Sequence, residues 1–333
     1  MEQAQLDTIL TDHALWCAGK DGARATLIGA DLTRANLTSA TLPYADLAGA
    51  NLTSATLPNA DLAGATLICT TLIEADLFEA NLSKADLSGA NLADATLTYA
   101  DLSEADLSGA NLTDANLNGA NLTRANLTGA TLTRADLTGA HLTSATLTYA
   151  DLTDATLICT TLTEAHLTGA TLTHADLTDA YLTDATLTGA NLTRADLTDA
   201  TFTGANLTRA DLTDANLTRA DLTGANLTSA IMPSPIQPKT LHDAARATLN
   251  WLTQPCRWLS GSWISTPTGA YAGDCRACLH GAAIYVGGAF GPTLSRILTR
   301  EGYTESWNDM PERTHEDILC ALREIVETLL HTP

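Results

Sequence analysis

Several things are missing from this chain, and each absence narrows what it can be. No stretch of about 18 apolar residues occurs anywhere, so no membrane-spanning helix is expected. The N-terminus has no basic segment followed by an apolar run, so no signal peptide is expected. The seven cysteines show no obvious pairing pattern, which argues against a secreted disulfide scaffold and makes the cytoplasm the expected location. Positive charge is scarce, at 17 Lys and Arg against 38 Asp and Glu, for a formal net charge of −21. Direct binding to nucleic acid, which rests on cations against phosphate, is not expected. Ser-His-Asp order, a P-loop and a dinucleotide fingerprint are all missing, and the fragment GGAFG lacks the strand and spacing of a phosphate loop. The expectation is a non-enzymatic protein without a cofactor.

The chain does contain a repeat. From Ala25 to Ser229 it reads as 41 consecutive pentapeptides such as ANLTR, ADLTD and ATLTG. The first position is Ala except at Thr70 and Thr160, and the third is Leu except at Phe202. The second is Asp, Asn or Thr except at His141, His166 and Tyr181, and the fourth is mostly Thr in the later units. Such a period must be explained before any other feature. A helix needs apolar residues at spacings of three and four, and a long strand would send alternate Leu residues to opposite faces. A chain that turns after every unit satisfies the pattern. Ala and Leu, two apart, then share the inner face of a short extended segment, and the other three positions form the outside and the corner. The period alone leaves the number of corners per coil open.

The A-(D/N)-L-x-x repeat resembles the pentapeptide repeat proteins. The resemblance implies an all-β, right-handed quadrilateral β-helix with Leu stacked inside and Ala beside it. Forty-one units make just over ten coils, and ~4.8 Å between paired strands gives a rod roughly 50 Å long. Leu122, Leu142, Leu162, Leu182 and Phe202 are expected to stack along one inner side. Each coil touches only its neighbours, and the raw edges at both ends call for caps.

The segment ATLICTTL occurs at residues 65–72 and again at 155–162. The copies lie 90 residues apart, which is four and a half coils, so they face opposite sides of the rod. Their axial offset of roughly 22 Å follows from ~4.8 Å per coil. Cys69 and Cys159 therefore cannot form a disulfide, which needs Cα atoms within about 7 Å. With the echo LTYADL at 97–102 and 147–152, the copies read as segmental duplication.

Four parts are expected. Residues 1–24 hold a helix candidate with Leu6, Ile9, Leu10, His13 and Trp16 at helical spacing, which would cover the first coil. Residues 25–230 are the β-helix. Residues 231–239, IMPSPIQPK, carry three prolines and mark a boundary. Residues 240–333 hold four of the five tryptophans and read as a mainly helical domain. Leu241–Leu252 is a helix candidate there. The clearest helix, Thr314–Leu330, opens on a capping-box-like Thr314 and Asp317 and has one strongly apolar face. Packing within its own domain is the preferred reading, and a homodimer interface is the alternative. WNDMPERTHEDIL faintly resembles the end of a small bacterial and phage-borne helical domain that names no activity. Cys256, Cys275, Cys278 and His280 include the residue types of a zinc site. There is no second C-x-x-C, and Cys278 lies between Ala277 and Leu279, so buried free thiols are preferred and no metal is expected.

Charge carries the functional expectation. The repeat region holds 24 acidic and 7 basic residues, net −17. That is one net charge per ~3 Å of axis, against one per about 1.7 Å in duplex DNA. An acidic rod presenting its surface to a protein partner is the first reading, with Asp154, Asp179, Asp184, Asp199 and Asp214 as the candidate surface. The alternative is a DNA mimic that modulates or protects DNA gyrase or a topoisomerase, as several pentapeptide repeat proteins do. Ice binding through the Thr ladders is a remote third, because the ladders occur on all four sides and charged corners interrupt them. His141, His166 and His174 read as solvated outward residues. Arg and Asp that recur at steps of 20 along a corner can pair between coils.

The inner-face assignment is testable. Leu142→Asp buries an unpaired carboxylate, and a large fall in Tm is expected by circular dichroism. An unchanged Tm would place Leu142 outside.

Overall fold

The structure is a computed structural model, and it describes residues 1–233. The chain divides into two compact units, Met1–Pro233 and Ser234–Pro333. The Leu241–Leu252 helix, the Thr314–Leu330 helix and the set Cys256, Cys275, Cys278 and His280 all lie outside the described residues.

From residue 26 to residue 231 the backbone forms one parallel ladder. Every bridge joins residue i to residue i+20, from Thr26 with Asp46 to Asp211 with Ile231. No bulge or insertion interrupts this register, so four pentapeptides make one coil throughout. The sides are numbered here by their leucines: side 1 begins at Leu27, side 2 at Leu32, side 3 at Leu37 and side 4 at Leu42.

The hydrogen bonds explain why a five-residue unit turns. Each Leu N–H donates to the second-position carbonyl one coil on, as from Leu122 to His141 at 2.7 Å. From the second coil on, each second-position N–H donates to a first-position carbonyl of the preceding coil, as from Asn121 to Ala100 at 2.9 Å. At the corner, the Ala N–H donates back to the Leu carbonyl three residues earlier, as from Ala125 to Leu122 at 3.0 Å. The fifth residue lies inside that turn with φ between +53° and +70° in all 41 units, and the fourth residue has no positive φ. Positive φ at the second central residue alone defines a type II turn, which favours glycine. Yet 29 of the 41 corners are not glycine. The left-handed region costs an ordinary residue roughly 1 kcal/mol. The ladder offsets this, because each corner N–H also donates to the next coil, as from Arg124 to the Thr143 carbonyl at 2.9 Å.

Inside, Leu122, Leu142, Leu162, Leu182 and Phe202 are fully buried in one column, as the repeat requires. Burying each Leu contributes about 2 kcal/mol. Thr70 and Thr160, the two breaks at the Ala position, are buried as well. Their hydroxyls donate to the carbonyls of Leu47 at 3.0 Å and Leu137 at 3.3 Å, so neither leaves an unpaired polar group inside. Cys69 and Cys159 are exposed free thiols on sides 1 and 3, which are opposite.

Helix α1, Gln3–Cys17, closes the N-terminal end. The first coil has no predecessor to pair with, and α1 supplies the missing partners one side at a time. The Met1 ammonium donates to the Asp31 carbonyl on side 2 at 2.6 Å. The Gln3 amide acts like a peptide group toward Asn36 on side 3. Its Nε2 donates to the Asn36 carbonyl at 3.1 Å, and its Oε1 accepts from the Asn36 N–H at 3.2 Å. On side 4 the partner is His13, which is fully buried. Its Nδ1 accepts from the Ala25 N–H at 2.9 Å, which leaves the proton on Nε2 to donate to the Pro43 carbonyl at 3.1 Å. Leu6 is buried as the helical spacing requires. Trp16 departs from that expectation. Its ring is 38% exposed and stacks on His13, with centroids 5.3 Å apart, so it covers the imidazole rather than entering the core. Gly22 passes so close to α1 that a Cβ would lie 2.2 Å from the Asp12 carbonyl oxygen.

Burial holds the His13 pKa below its usual 6.5. The Pro43 hydrogen bond opposes this shift, and the Arg24 charge adds to it. A released cap takes up a proton below about pH 6.5 that the docked cap does not bind, so docking weakens as pH falls below that value. Hydrogen exchange at residues 1–24 and at the Asn36 amide, corrected for intrinsic rates, should rise from pH 7.5 to pH 5.5. Exchange at mid-rod amides such as Leu122 should not. Protection of residues 1–24 that is equal at both pH values would contradict this role for His13.

Candidate interaction surface

Four of the five N–H groups in each unit are used by the ladder and the turn. The fourth-position N–H is left over, and the second residue decides what happens to it. Where that residue is Asp or Asn, its Oδ1 accepts from this N–H, as from Thr178 to Asp176 at 2.9 Å. In many units the fourth-position hydroxyl donates to the same oxygen, at 2.6 Å in that unit. The consensus pair, Asp or Asn followed two residues later by Thr or Ser, is therefore a small closed network. Proline occupies the fourth position twice, at Pro43 and Pro58, each time after a second-position Thr that offers no such acceptor.

At three of these positions the same bonds favour the charged carboxylate. The Thr33 hydroxyl and N–H keep Asp31 below the usual carboxylate range, and the Thr213 hydroxyl and N–H do the same for Asp211. Burial pushes Asp136 upward, but the Thr138 hydroxyl and N–H and the Asn118 amide outweigh it. Asp31, Asp136 and Asp211 are thus structural groups of the turn, held on the ionised side by its hydrogen bonds.

Acids at the corners stand further out. Several pair with a cation one coil away on the same corner, as the spacing of 20 anticipates. Arg134 meets Asp114, Arg219 meets Asp199, and Arg194 lies 3.7 Å from Asp214. Glu104 lies 4.0 Å from both Lys84 and Arg124. His174 is not merely solvated, since its Nδ1 lies 3.3 Å from Asp154 Oδ1. His141 and His166 are exposed, and their imidazoles have no hydrogen-bond or ion-pair partner among the described residues. The Asp114 pKa is lowered by its hydrogen bond with Arg134.

The register distributes this charge unevenly. Side 1 carries three acidic residues and one basic, side 2 eight and three, side 3 seven and one, side 4 six and two. Between Asp106 and Arg209, side 1 has no Asp, Glu, Lys or Arg at all. The five candidate surface residues lie on three corners: Asp154 and Asp214 on side 2, Asp179 and Asp199 on side 3, and Asp184 on side 4. They form a band around the rod that leaves side 1 bare.

The family model for pentapeptide repeats matches eight times: at residues 23–53, 45–83, 55–92, 75–114, 90–129, 120–157, 161–199 and 195–232. The chain belongs to the pentapeptide repeat family. Its described unit is accordingly a right-handed β-helix of the kind these proteins form. A solved structure to which it is similar is HetL, from the cyanobacterium Nostoc sp. strain PCC 7120, a pentapeptide repeat protein involved in heterocyst differentiation regulation. The match has 38% identity and a TM-score of 0.53, and covers 66% of this chain and 94% of that one. Rfr23 from the cyanobacterium Cyanothece 51142 matches at 35% identity, over 31% of this chain and 63% of its own, with a TM-score of 0.20. QnrB1, a plasmid-mediated fluoroquinolone resistance protein, matches at 18% identity, over 55% of this chain and 88% of its own, with a TM-score of 0.36. No curated protein matches the sequence. No helix among the described residues is long and apolar enough to cross a membrane, and no group of them could hold a metal ion.

The fourth-position network makes its own prediction. Asp136→Ala removes the acceptor of the Thr138 N–H and hydroxyl and should cost about 1–3 kcal/mol in denaturant unfolding. Asp136→Asn, which keeps Oδ1, should cost less than half of that. Equal losses would show that charge, not the turn acceptor, is what this position supplies.

Proposed function

We propose that this protein is a non-enzymatic interaction rod whose acidic band engages a basic protein partner. The observation that carries the reading is the uneven charge. Sides 2, 3 and 4 hold 21 of the 24 acidic residues of the repeat, and side 1 is bare over its later coils. Turn chemistry alone accounts for acids at the second position on any side. It does not account for corner acids crowding three sides and avoiding the fourth, because the left-handed corner favours glycine instead. Complementary charge steers association and orients a partner on the rod.

A second reading is kept because of the axial charge density: the rod occupies a DNA-binding groove of gyrase or a topoisomerase as a protein duplex. The support is the net −17 over roughly 50 Å, over half the axial density of DNA. No comparable observation favours ice binding, since charged corners flank the Thr columns.

Two measurements separate these readings. Tagged full-length protein should capture a basic protein from lysate at low salt and release it as salt rises. Changing Asp154, Asp179, Asp184, Asp199 and Asp214 to Asn should abolish that capture while leaving Tm unchanged. Capture that ignores both salt and these five changes would end the charge-based reading. Titration into a gyrase supercoiling assay, with and without a quinolone, tests the second reading. Inhibition or protection that weakens with salt supports it, and no effect at any salt removes it for that enzyme.

A further inference from the structure

The register brings together one feature that neither the repeat nor its acidity requires. Wherever the second residue is not Asp or Asn and the fourth is not proline, the fourth-position N–H has no hydrogen-bond partner among the described residues. Over most of the rod such units are isolated, because an Asp or Asn unit follows in the next coil of the same side. On two sides they are consecutive. Side 4 reads His141, Thr161, Tyr181, Thr201 over four coils. The adjoining side 1 reads Thr146, His166, Thr186 over three. No other side has two such units in succession. The three residues that break the second-position rule, His141, His166 and Tyr181, are separated by up to 40 positions in sequence yet all fall within this one patch.

The patch has a definite chemistry. Seven contiguous units present outward-facing backbone N–H groups and fourth-position hydroxyls, of which only the Thr203 hydroxyl has a partner, Asp221 Oδ2 at 3.4 Å. His141, His166 and Tyr181 are exposed beside them, and Tyr149 stands at the outer corner of side 1 with 70% of its surface free. The Tyr149 ring lies flat along the corner, against Gly169 of the next coil, where a Cβ would come within 2.6 Å of it. The seven units contain no Lys or Arg. The corner between the two sides carries Glu164, which accepts from the Ser144 hydroxyl at 3.1 Å, and Asp184.

We propose that this patch binds a neutral polysaccharide lying along the rod axis. Uncommitted N–H donors, hydroxyls and imidazoles meet a ligand that is itself rich in hydroxyls, and the two corner carboxylates accept from such hydroxyls. The tyrosine rings offer flat apolar faces to the C–H faces of sugar rings. The other occupants fit less well. A phosphate or polyanionic chain needs cations, and here it meets Glu164 and Asp184 within an acidic rod. A protein hot spot clusters Trp, Tyr and Arg anchors in one pocket, whereas the seven units have no Trp or Arg and expose Tyr149 and Tyr181 on different sides. A flat hydroxyl lattice is broken by the protruding rings and carboxylates. The patch shares only Asp184 with the acidic band, and the substitutions that test it leave Asp184 in place.

The test uses substitutions that restore the repeat. His141→Asn, His166→Asn and Tyr181→Asn together supply the missing acceptors for Thr143, Thr168 and Thr183, so the rod should fold with an equal or higher Tm. The full-length protein is run by affinity electrophoresis in gels containing hydroxyethyl cellulose, galactomannan or soluble starch, with polygalacturonate and plain gels as controls. Retardation is expected in at least one neutral polysaccharide. The apparent Kd should rise by about tenfold or more in the triple variant, as several hydrogen bonds and a ring contact are lost. Unretarded migration in all three neutral gels would overturn the proposal, as would equal retardation of the variant. Retardation in polygalacturonate alone would reassign the patch to an anionic chain and overturn it too.

Discussion

Everything in the rod depends on the hydrogen bond from each Leu N–H to the second-position carbonyl one coil on. Together with the type II corner, it sets a register of 20 that never slips from Thr26 to Ile231. Because the register never slips, inward residues stack on inward residues and corners on corners. A side chain then meets mainly its equivalents 20 positions away. That explains why a core of Leu, Ala and two Thr, with Phe202 its one aromatic, is buried along the rod between its end coils. It also explains why Arg and Asp separated by 20 positions pair, and why a Tyr at one corner needs a Gly at the same corner of the next coil. Tyr44, Tyr99 and Tyr149 cover Gly64, Gly119 and Gly169 in this way.

The ends are where such a ladder is vulnerable, since a coil without a neighbour offers unpaired strand to any chain that can join it. At the N-terminus the answer is not another strand but a helix whose termini and side chains imitate one. Met1, Gln3 and His13 reach sides 2, 3 and 4 with hydrogen-bond geometry that a preceding coil would otherwise supply. His13 is the most constrained of these, because both ring nitrogens are committed to backbone groups. Its protonation state is therefore part of the cap.

The fold was legible in the sequence because one physical rule acts 41 times. Ala and Leu two residues apart, with the other three positions outward, admit one inner face, and 205 residues in phase repeat it, while the four-sided section and its handedness came from the resemblance to the family. The inward positions of Leu122 through Phe202, the opposed placement of Cys69 and Cys159 and the cross-coil ion pairs all follow from arithmetic modulo 20. Helix α1 was legible in outline, but not which residues it buries. Leu6 and His13 go inward while Trp16 stays at the surface, because the helix docks through hydrogen bonds to an exposed strand edge as well as through an apolar stripe. The role of the second-position acids was legible only in part. Their sequence position marks them as turn formers, but the structure shows them accepting the one N–H that the ladder leaves over.

The sequence by itself determined the period, the inner face and the total charge, because these are sums and spacings along the chain. The tertiary structure alone decided where the surface groups meet. Residues 5 apart in sequence lie on different sides, and residues 20 apart lie in contact, so a surface patch is scattered through the sequence at long, regular intervals. The bare side 1, the acidic band on the other three sides, and the gathering of His141, His166 and Tyr181 with their uncommitted N–H groups appear only when the coils are stacked. The physical reason is that coiling turns sequence distance into angle around an axis, and a partner reads the angle.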